Sequence, residues 1–440
     1  MSDSHHKKPE NHKNQRSSRL KVLALAPYLD GTDVGEAFCA YEWVKNLAEK
    51  ADVTLLAMER PNRESLADQL PGVRVISKME PAWARRHERL NAMAKLSYPG
   101  FYFWACREIK KLLQAGEVFD IAHQFSPFAI RYPSPLRKFD LPYVIGPLCG
   151  SIATPKAFQS ECHTSQWFTS FRHLDRIRMK FDPFLRASFK KAGTVLGVAP
   201  YVADFIGREN VRHFEVISEL GITGTEERLE QHFQAYKGIR LLHVGRGVRT
   251  KGLRDTIRAL AHLSDLPGLH LDVAGQGAEI DYCQQMAAEM GVSEQITFHG
   301  QISRAAVDRL YRQADIFCFP SFREPSGSVI FEALSYGLPI IAADIGGPGH
   351  VIDDSCGFKI PPSEPEQFAA DIAEAIQTLV RMPVLRHHLS KGAYAKVRSI
   401  GLWPGKIDHL LKVYQRLIPD QLLSDPSGTE PSLSEKGALS

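Results

Sequence analysis

The sequence lacks several features that mark large classes of protein. Its 440 residues contain no uncharged apolar run long enough to span a bilayer. The first twenty residues are polar and rich in His and Lys, without the apolar segment of a secretory signal. The seven cysteines are scattered and form no C-x-x-C pair, which argues against a disulfide framework and a zinc site. These absences predict a protein of the reducing cytoplasm.

A large excess of one charge is also missing. The net charge of +4 is too small to indicate a nucleic-acid-binding protein, so no nucleic-acid partner is expected. Basic residues nevertheless mix with aromatic ones in two segments, 85–111 and 160–191. Such segments are typical of helices that rest on an anionic membrane surface. They are also typical of helices whose aromatic side chains face a core, and the sequence leaves both interpretations open.

The length of the chain and the order of its predicted elements indicate two domains. A chain of 440 residues exceeds one ordinary core. Strand-like and helix-like segments alternate, which predicts mostly parallel sheets covered on both faces. A strand, a glycine loop and a helix open segment 20–225, and the same order opens segment 238–400. An amphipathic helix follows at 401–420, and the polar tails 1–19 and 421–440 have the composition of disordered segments.

The loop from Gly245 to Gly252 is a candidate phosphate cradle. It follows a predicted strand and precedes a predicted helix, so its backbone can approach an anion at a helix N-terminus. Arg246 and Lys251 supply cations for such a ligand. The alternative is an ordinary solvated turn. The loop has neither the G-x-G-x-x-G nor the Walker A pattern, so a nicotinamide cofactor is not indicated.

Glu324 and Glu332 form the most informative pattern in the chain. They lie eight positions apart, with Pro325 and Gly327 between them. The first should lie on a loop that leaves a strand, and the second about one turn inside the next helix. Ligands of open α/β sheets bind at that edge, so the pair predicts a site for a polyol such as a sugar or a ribose. The alternative is that acidic residues simply stabilise a helix N-terminus.

Taken together, these motifs resemble those of family 4 glycosyltransferases, which are retaining enzymes with the GT-B fold. The matching stretches run in the family's order along residues 20 to 418, more loosely in the N-terminal half, and are 120–123, 146–150, 182–185, 244–246, 251–252, 273–277, 298–300, 314–317, 320–321, 324–334 and 337–342. The resemblance implies an α/β protein of two doubly wound Rossmann-like domains facing across a cleft. It also implies that the C-terminal helix returns to the N-terminal domain.

The activity implied by the resemblance is transfer of a sugar, of the hexosyltransferase type, from a nucleoside-diphosphate sugar to a carbohydrate or lipid-linked acceptor. Segment 20–225 would face the acceptor and segment 238–400 would bind the nucleotide sugar. Such enzymes serve cell-surface polysaccharide or glycolipid biosynthesis. The nucleotide sugar would be a co-substrate, and neither a bound cofactor nor a metal ion is expected. The protein would act in the cytoplasm, at the inner face of the cell membrane if its basic segments contact anionic lipid.

The resemblance also implies roles for the donor-binding residues. Arg246 and Lys251, beside Gly245, would neutralise the diphosphate. Glu332 would accept hydrogen bonds from the ribose hydroxyls. Glu324 would face the donor sugar as a catalytic residue.

Further roles implied by the resemblance fall on both domains. The amides of Gly327 and Ser328 would lie close to the donor sugar. His123 would be a second catalytic residue that reaches the sugar from the opposite domain. Gly31 and Gly35 would line the floor of the cleft.

Two departures from the family pattern concern the acceptor side more than the donor side. Ser326 stands where many relatives have an aromatic residue, and Gly31 and Gly35 replace an adjacent glycine pair. Two other functions remain open at this point: a nucleotide-sugar epimerase of the same fold, and an inactive sugar-binding homologue. The joint presence of cradle cations and both glutamates argues against the inactive homologue.

Overall fold

Two parallel sheets organise the chain. The computed structural model describes residues 19–86, 95–162, 172–226 and 238–418. In this part of the chain, seven strands form the first sheet: β1 (Lys21–Leu25), β2 (Asp52–Glu59), β3 (Arg74–Met79), β4 (Ile121–Gln124), β5 (Tyr143–Leu148), β6 (Thr194–Gly197) and β7 (Phe214–Val216). Their order is β3-β2-β1-β4-β5-β6-β7, with every pair parallel.

The second sheet repeats this design. Its strands are β8 (Ile239–Val244), β9 (Leu269–Ala274), β10 (Ile296–Gly300), β11 (Ile316–Phe319), β12 (Ile340–Ala343) and β13 (Gly357–Ile360). Their order is β10-β9-β8-β11-β12-β13, again all parallel. The central strands are short apolar runs buried on both faces, as helix-covered parallel sheets require. Both doubly wound sheets were predicted, and both are confirmed.

Helices cover the two sheets. Those of the first half are α1 (Glu36–Ala48), α2 (Leu66–Gln69), α3 (Ala82–Arg86), α4 (Tyr98–Gln114), α5 (Arg172–Phe181), α6 (Pro183–Lys191) and α7 (Tyr201–Ile206). Those of the second half are α8 (Leu253–Ala261), α9 (Ile280–Glu289), α10 (Arg304–Gln313), α11 (Ser328–Ser335), α12 (Gly346–Val351), α13 (Pro365–Arg381), α14 (Pro383–Ile400) and α15 (Trp403–Leu417). Side-chain caps begin several of them, as Asp182 does for α6.

The last helix, α15, packs on the first domain. Trp403 meets Trp43 edge to face with ring centroids 5.1 Å apart. Ile407 and Leu410 join the same core as Val22 of β1. The prediction that the C-terminal helix returns to the N-terminal domain is therefore confirmed. The proposed tails, apart from Arg19 at the edge of the first, lie outside the described residues, so their disorder stays a prediction.

The aromatic residues of the two basic segments divide between core and surface. In α4, Tyr98, Phe101 and Tyr102 are buried, whereas Phe103 is exposed. In the second segment Phe189 is buried, whereas two others, Phe181 and Phe184, are exposed. Residues 87–94 and 163–171 of these segments lie outside the described residues. Neither a purely internal nor a purely superficial role fits these aromatic side chains.

A short 3₁₀ turn, Lys156–Glu161, crosses from the first half of the chain to the second domain. We call it the crossing segment. Its Phe158 is fully buried in the core of the second domain, with ring centroids 4.4 Å from Phe322 and 5.6 Å from Phe368. Strand β5 before it and helix α5 after it pack in the first domain, so the segment ties the two domains together.

Candidate active site

Glycines allow the loops at the carboxyl edge of the second sheet to pack backbone against backbone. The Gly245 amide, after β8, donates to the carbonyl of Ala274 at 3.0 Å, and the Gly275 amide donates to the Gly300 carbonyl at 2.9 Å. A Cβ on Gly275 would lie only 1.8 Å from the Gly245 oxygen. Close approach of backbone to backbone therefore requires glycine here, independently of any ligand.

Gly252 brings Lys251 to the next loop of the same edge. Its φ of +81° is left-handed, and it lies at the start of α8. A Cβ at this position would lie 2.2 Å from the carbonyl oxygen of Pro320, just after β11. Because the two loops touch, Lys251 Nζ donates to Oε2 of Glu324 and forms an ion pair with it.

Glu324 is held at both carboxylate oxygens. Lys251 binds Oε2, and the Gly327 amide donates to Oε1 at 3.2 Å. Gly327 precedes α11 with a φ of +79°, and Ser328 is the first residue of that helix. Only 9% of Glu324 is exposed. The structure thus brings four predicted site residues to one helix N-terminus, where a developing negative charge is stabilised.

Glu332 lies one turn along α11, on the same helix face as Ser328. Its Oε2 forms an ion pair with Nη1 of Arg304 at 2.8 Å and accepts a hydrogen bond from the Tyr311 hydroxyl at 3.2 Å. These two partners orient the carboxylate. Neither Arg304 nor Tyr311 was singled out by the sequence analysis, because both lie on another helix, α10.

The surroundings of Glu324 carry an excess of positive charge. Arg246 is exposed, next to Gly245. Arg323 is half-buried, and its pKa is lowered by burial and by the nearby Arg246. Arg323 also donates from Nη1 to Thr154 Oγ1, at 3.1 Å, in the chain that leads to the crossing segment. Arg323, which directly precedes Glu324, adds a third cation to the predicted pair, and no motif in the sequence marked it.

Arg249, a buried arginine within the loop from Gly245 to Gly252, has a different role. Arg249 contacts Asp255 at 2.6 Å and Glu161 of the crossing segment at 2.8 Å. Burial acts to raise the pKa of Glu161, but hydrogen bonds and charge from Arg258 and Arg249 prevail and hold it at about 2. Glu161 is thus an ionised partner of the buried guanidinium, whereas burial raises the pKa of its other partner, Asp255. This network joins the domains and leaves Arg249 engaged, so only Arg246 and Lys251 of the loop can meet a ligand.

His123 does not face the cleft, which corrects the expectation that it reaches the donor sugar. It lies in β4, between β1 and β5, and none of its surface is exposed. Nε2 donates to the Gly146 carbonyl at 2.8 Å, so Nδ1 accepts from the Tyr414 hydroxyl at 2.6 Å. Burial lowers the pKa of His123 to about 3. The imidazole is a neutral part of the core, stacked 3.7 Å from Phe125.

Gly31 and Gly35 lie in the loop between β1 and α1. The Gly31 amide donates to Gln69 Oε1 at 2.8 Å, and a Cβ at Gly31 would lie 2.7 Å from the Tyr41 ring. Gly35 precedes α1 with a φ of +65°. Packing against Tyr41 explains Gly31 and a left-handed backbone explains Gly35, and their place on the cleft floor stays a prediction.

A cavity of about 1000 Å³ lies between the domains. Helices α5, α6 and α7 supply its first-domain wall, and Ile345 and Gly346 contribute from the second domain. The backbone at Gly346 lies directly against Glu324, since a Cβ there would lie 2.2 Å from the Glu324 carbonyl oxygen. The cavity therefore adjoins the loop that carries the predicted catalytic carboxylate.

A second buried carboxyl, Glu219, lies where the chain passes between the domains. It is 8% exposed, and its Oε2 has no hydrogen-bond partner among the described residues. Burial raises the pKa of Glu219, despite a hydrogen bond with Ser326 of the Glu324 loop. Lys406 of α15 is equally buried, and burial lowers its pKa to about 7. No pattern in the sequence marked these two residues, because their neighbours come from distant segments.

Neither a metal-binding cluster nor a membrane-spanning helix is found within the described residues. No group of three or more His, Cys, Asp or Glu side chains is arranged to hold a metal ion. No helix there combines the length and apolar character needed to cross a membrane. The expectation that transfer needs no metal ion stays a prediction.

The second domain matches the model of a known protein family. Residues 225–396 match the model of the family described as glycosyl transferases group 1. The chain is 30% identical over 176 residues to a glycogen synthase of Mycobacterium tuberculosis, which covers 40% of this chain and 42% of that protein. It spans about two fifths of the length of the curated relatives it matches.

Solved structures extend the likeness to both domains. A sucrose-phosphate synthase of Thermosynechococcus elongatus superposes with a TM-score of 0.62 at 20% identity, covering 91% of this chain and 99% of that chain. A protein of Anabaena solved in complex with UDP-glucose gives a TM-score of 0.57 at 15% identity, covering 90% and 100%. The predicted GT-B arrangement is thereby confirmed. The chain has a GT-B fold whose second domain matches group 1 glycosyl transferases.

Proposed function

We propose that the protein is a retaining glycosyltransferase of the family 4 type. It transfers a hexose from a nucleoside-diphosphate sugar to a carbohydrate or lipid-linked acceptor. The observation that carries this proposal is the meeting of Lys251, Glu324 and the N-terminus of α11 at one sheet edge beside the interdomain cavity. The proposal places the protein in the cytoplasm, in the synthesis of cell-surface polysaccharide or glycolipid.

The donor diphosphate would lie over the loop after β8. Arg246 is exposed there, and Lys251 is within reach of the same edge. Two cations and the amides at the start of α11 can together balance the charge of a departing diphosphate. The Anabaena structure, which contains UDP-glucose, supports a donor of this chemical class.

The two glutamates would bind the nucleoside and the sugar. Glu332 is oriented by Arg304 and Tyr311, which leaves a fixed acceptor for ribose hydroxyls. Glu324, on the loop that lies against the cavity wall at Gly346, would accept from hydroxyls of the transferred sugar. The Gly327 and Ser328 amides lie beside it at the helix N-terminus.

The transfer itself exchanges one bond for another at the anomeric carbon. The bond from this carbon to the diphosphate oxygen breaks, its electron pair leaves with the diphosphate, and the acceptor hydroxyl oxygen forms the new bond. The hydroxyl proton passes to a departing phosphate oxygen. Both oxygens of Glu324 are engaged, by Lys251 and by the Gly327 amide, which makes it a poor nucleophile. This arrangement supports attack from the same face over a covalent intermediate.

The decisive experiment begins with thermal stabilisation by a panel of nucleoside diphosphates and their sugars. A ligand that binds only the native state adds about 2.7 kcal/mol to the free energy of unfolding at 100 times its Kd, and so raises the melting temperature. We expect one base to stabilise the wild-type protein and to lose its effect in Lys251→Met. Absence of stabilisation by every nucleotide would contradict the proposed donor site.

Product analysis then separates transfer from its rivals. The selected nucleotide sugar is incubated without acceptor and with a panel of glycan and lipid-linked acceptors. A transferase gives a glycosylated acceptor, and NMR of the new anomeric centre reports retention. An isomerised donor or free epimerised sugar formed without acceptor would identify an epimerase instead.

A further inference from the structure

The interdomain cavity carries a concentration of positive charge opposite the donor site. Arg176 and Lys180 stand one turn apart on α5, and Arg186 follows on α6; all three line the cavity. The second-domain wall, at Gly346, lies against Glu324. A ligand in this cavity would therefore contact the three cations and Gly346, whose backbone lies against the predicted catalytic loop.

These three cations have no carboxylate partner among the described residues, whereas Arg178 and Asp204 nearby each have an ion-pair partner. Arg178 of α5 bonds Asp182 at 3.0 Å. Of the acidic residues that line the cavity, Asp204 pairs with Arg208 at 2.8 Å and Glu209 accepts from the Asn210 side chain at 3.0 Å.

Among the described residues, Nη1 of Arg186 donates a hydrogen bond to the carbonyl oxygen of Lys180, at 3.4 Å, and no carboxylate accepts from this side chain. The three cations outnumber the two carboxylates of the lining, Asp204 and Glu209, and an anion placed between the cations reduces their mutual repulsion.

The rest of the lining is largely apolar. Met179, Phe205 and Ile206 contribute to the walls, and the rim carries Phe181, which is 68% exposed. A site with charge at one place and apolar surface elsewhere suits an amphiphilic or phosphorylated ligand rather than an unmodified neutral glycan. Arg fits phosphate oxygens with two parallel hydrogen bonds, and Lys binds them as a point charge.

We propose that this cavity is the acceptor site, and that the acceptor carries a phosphate or pyrophosphate group held by Arg176, Lys180 and Arg186. The inference rests on the proposed function, because the cavity is an acceptor site only if the protein is a transferase. Anion binding in the cavity can be tested separately. A lipid phosphate and a soluble sugar phosphate present the same oxygens to the cations, and the experiment below distinguishes the two sources. The transferred sugar would then be added to a hydroxyl on the side facing Glu324.

The test uses the full-length protein with the best nucleoside diphosphate of the panel in excess, so that the donor site is filled. Binding of octyl phosphate and glucose 1-phosphate is measured by calorimetry, with octyl glucoside and glucose as uncharged comparators. The test variant combines Arg176→Gln, Lys180→Gln and Arg186→Gln. The control is Arg178→Gln, on the same helix but paired outside the cavity.

We expect one or both phosphates to bind the wild-type and the control alike, and the triple variant to bind at least about 30-fold more weakly. Preference for octyl phosphate identifies a lipid source, and preference for glucose 1-phosphate a soluble one; either supports the inference. Equal binding of the uncharged comparators, no phosphate binding, or unchanged binding in the triple variant overturns it. Nucleotide stabilisation of the triple variant, expected to be unchanged, reports on its folding and on the donor site independently.

Discussion

Lys251 and Glu324 form an ion pair that joins the loop after β8 to the loop after β11. Their side chains are largely buried, so the pair is screened less than a surface pair would be. In the proposed reaction the two residues serve different parts of the donor, the diphosphate and the sugar. Without donor they satisfy each other, and binding of a diphosphate must share or break this contact.

The ion pair predicts opposite effects of two substitutions on donor binding. Lys251→Met should weaken nucleoside-diphosphate binding about 10- to 100-fold, since a charge-assisted contact is lost. Glu324→Gln should leave that binding unchanged or tighten it, because Lys251 is freed from its carboxylate, while transfer falls by about 100-fold or more. Calorimetry with the diphosphate and initial-rate assays separate the two effects. Weaker diphosphate binding in Glu324→Gln would contradict this division of roles.

Glu332 should matter only for ligands that contain a ribose. Glu332→Gln keeps the shape of the side chain but loses its charge, and we expect the affinity for the nucleoside diphosphate to fall about 10-fold. The affinity for inorganic pyrophosphate, which has no ribose, should stay the same. Competition calorimetry with both ligands checks this. An equal loss for pyrophosphate would instead show that Glu332 acts on the phosphates or on the fold.

His123 should be needed for stability rather than for catalysis. His123→Gln should lower the free energy of unfolding by about 1–3 kcal/mol at pH 7, because hydrogen bonds to Tyr414 and Gly146 are lost. The turnover number should change by less than about 10-fold, since the ring lies away from the cleft. Urea unfolding and steady-state kinetics measure the two quantities. A large fall in turnover with unchanged stability would restore a catalytic role.

The same histidine predicts how stability responds to acid. Its pKa is about 3 in the folded protein, against about 6.5 when unfolded. Between these values only the unfolded chain binds the proton, so stability falls as the pH drops from about 6.5 towards 3. The loss from this one group is on the order of 4–5 kcal/mol by pH 3. His123→Gln should show a shallower fall over this range; an identical slope would contradict the assignment of a neutral buried imidazole.

The crossing segment predicts a stability effect that spans both domains. Phe158→Ala should destabilise the protein by about 3–5 kcal/mol, because a fully buried ring leaves a cavity beside Phe322 and Phe368. The matched control is Phe184→Ala, at a position that is 57% exposed, where we expect a change below about 0.5 kcal/mol. Thermal unfolding of the two variants gives the comparison. Equal melting temperatures would argue that the segment is not held in the second domain.

Weak, salt-sensitive binding to anionic vesicles is expected through segments 85–111 and 160–191. Phe103, Phe181 and Phe184 are exposed there among basic residues. Sedimentation with phosphatidylserine vesicles at low salt, repeated at about 0.5 M salt, measures the effect. Phe181→Ser with Phe184→Ser should reduce it, and Tyr282→Ser, an exposed aromatic of the second domain, should not. Absence of binding at low salt removes the membrane suggestion.

The parts of the site that lie close in sequence were predictable. The spacing from Glu324 to Glu332 fixes one residue before a helix and one inside it, whatever the rest of the fold does. The loop from Gly245 to Lys251 likewise follows from a strand, glycines and a helix in immediate succession. The central strands of both sheets were predictable for a similar reason, since they are short apolar runs; the edge strands β3 and β7 lack that pattern.

The parts that depend on distant partners were not predictable. The family resemblance implied a catalytic role for His123, but its environment is set by Tyr414, 291 positions away. Glu219 and Lys406 are buried near each other by segments that no local pattern connects. Phe158 lies in a polar stretch without periodicity, and only the three-dimensional core shows where it packs.

The crossing segment means that the backbone passes between the domains four times. It leaves after β5, returns before α5, passes again between β7 and β8, and comes back at α15. A cleft spanned in this way can open by rotation, but its halves cannot drift apart. Residues 238–400 do not supply all of their own hydrophobic core. Without Phe158 from the first half of the chain, the ring surfaces of Phe322 and Phe368 that it covers would be exposed.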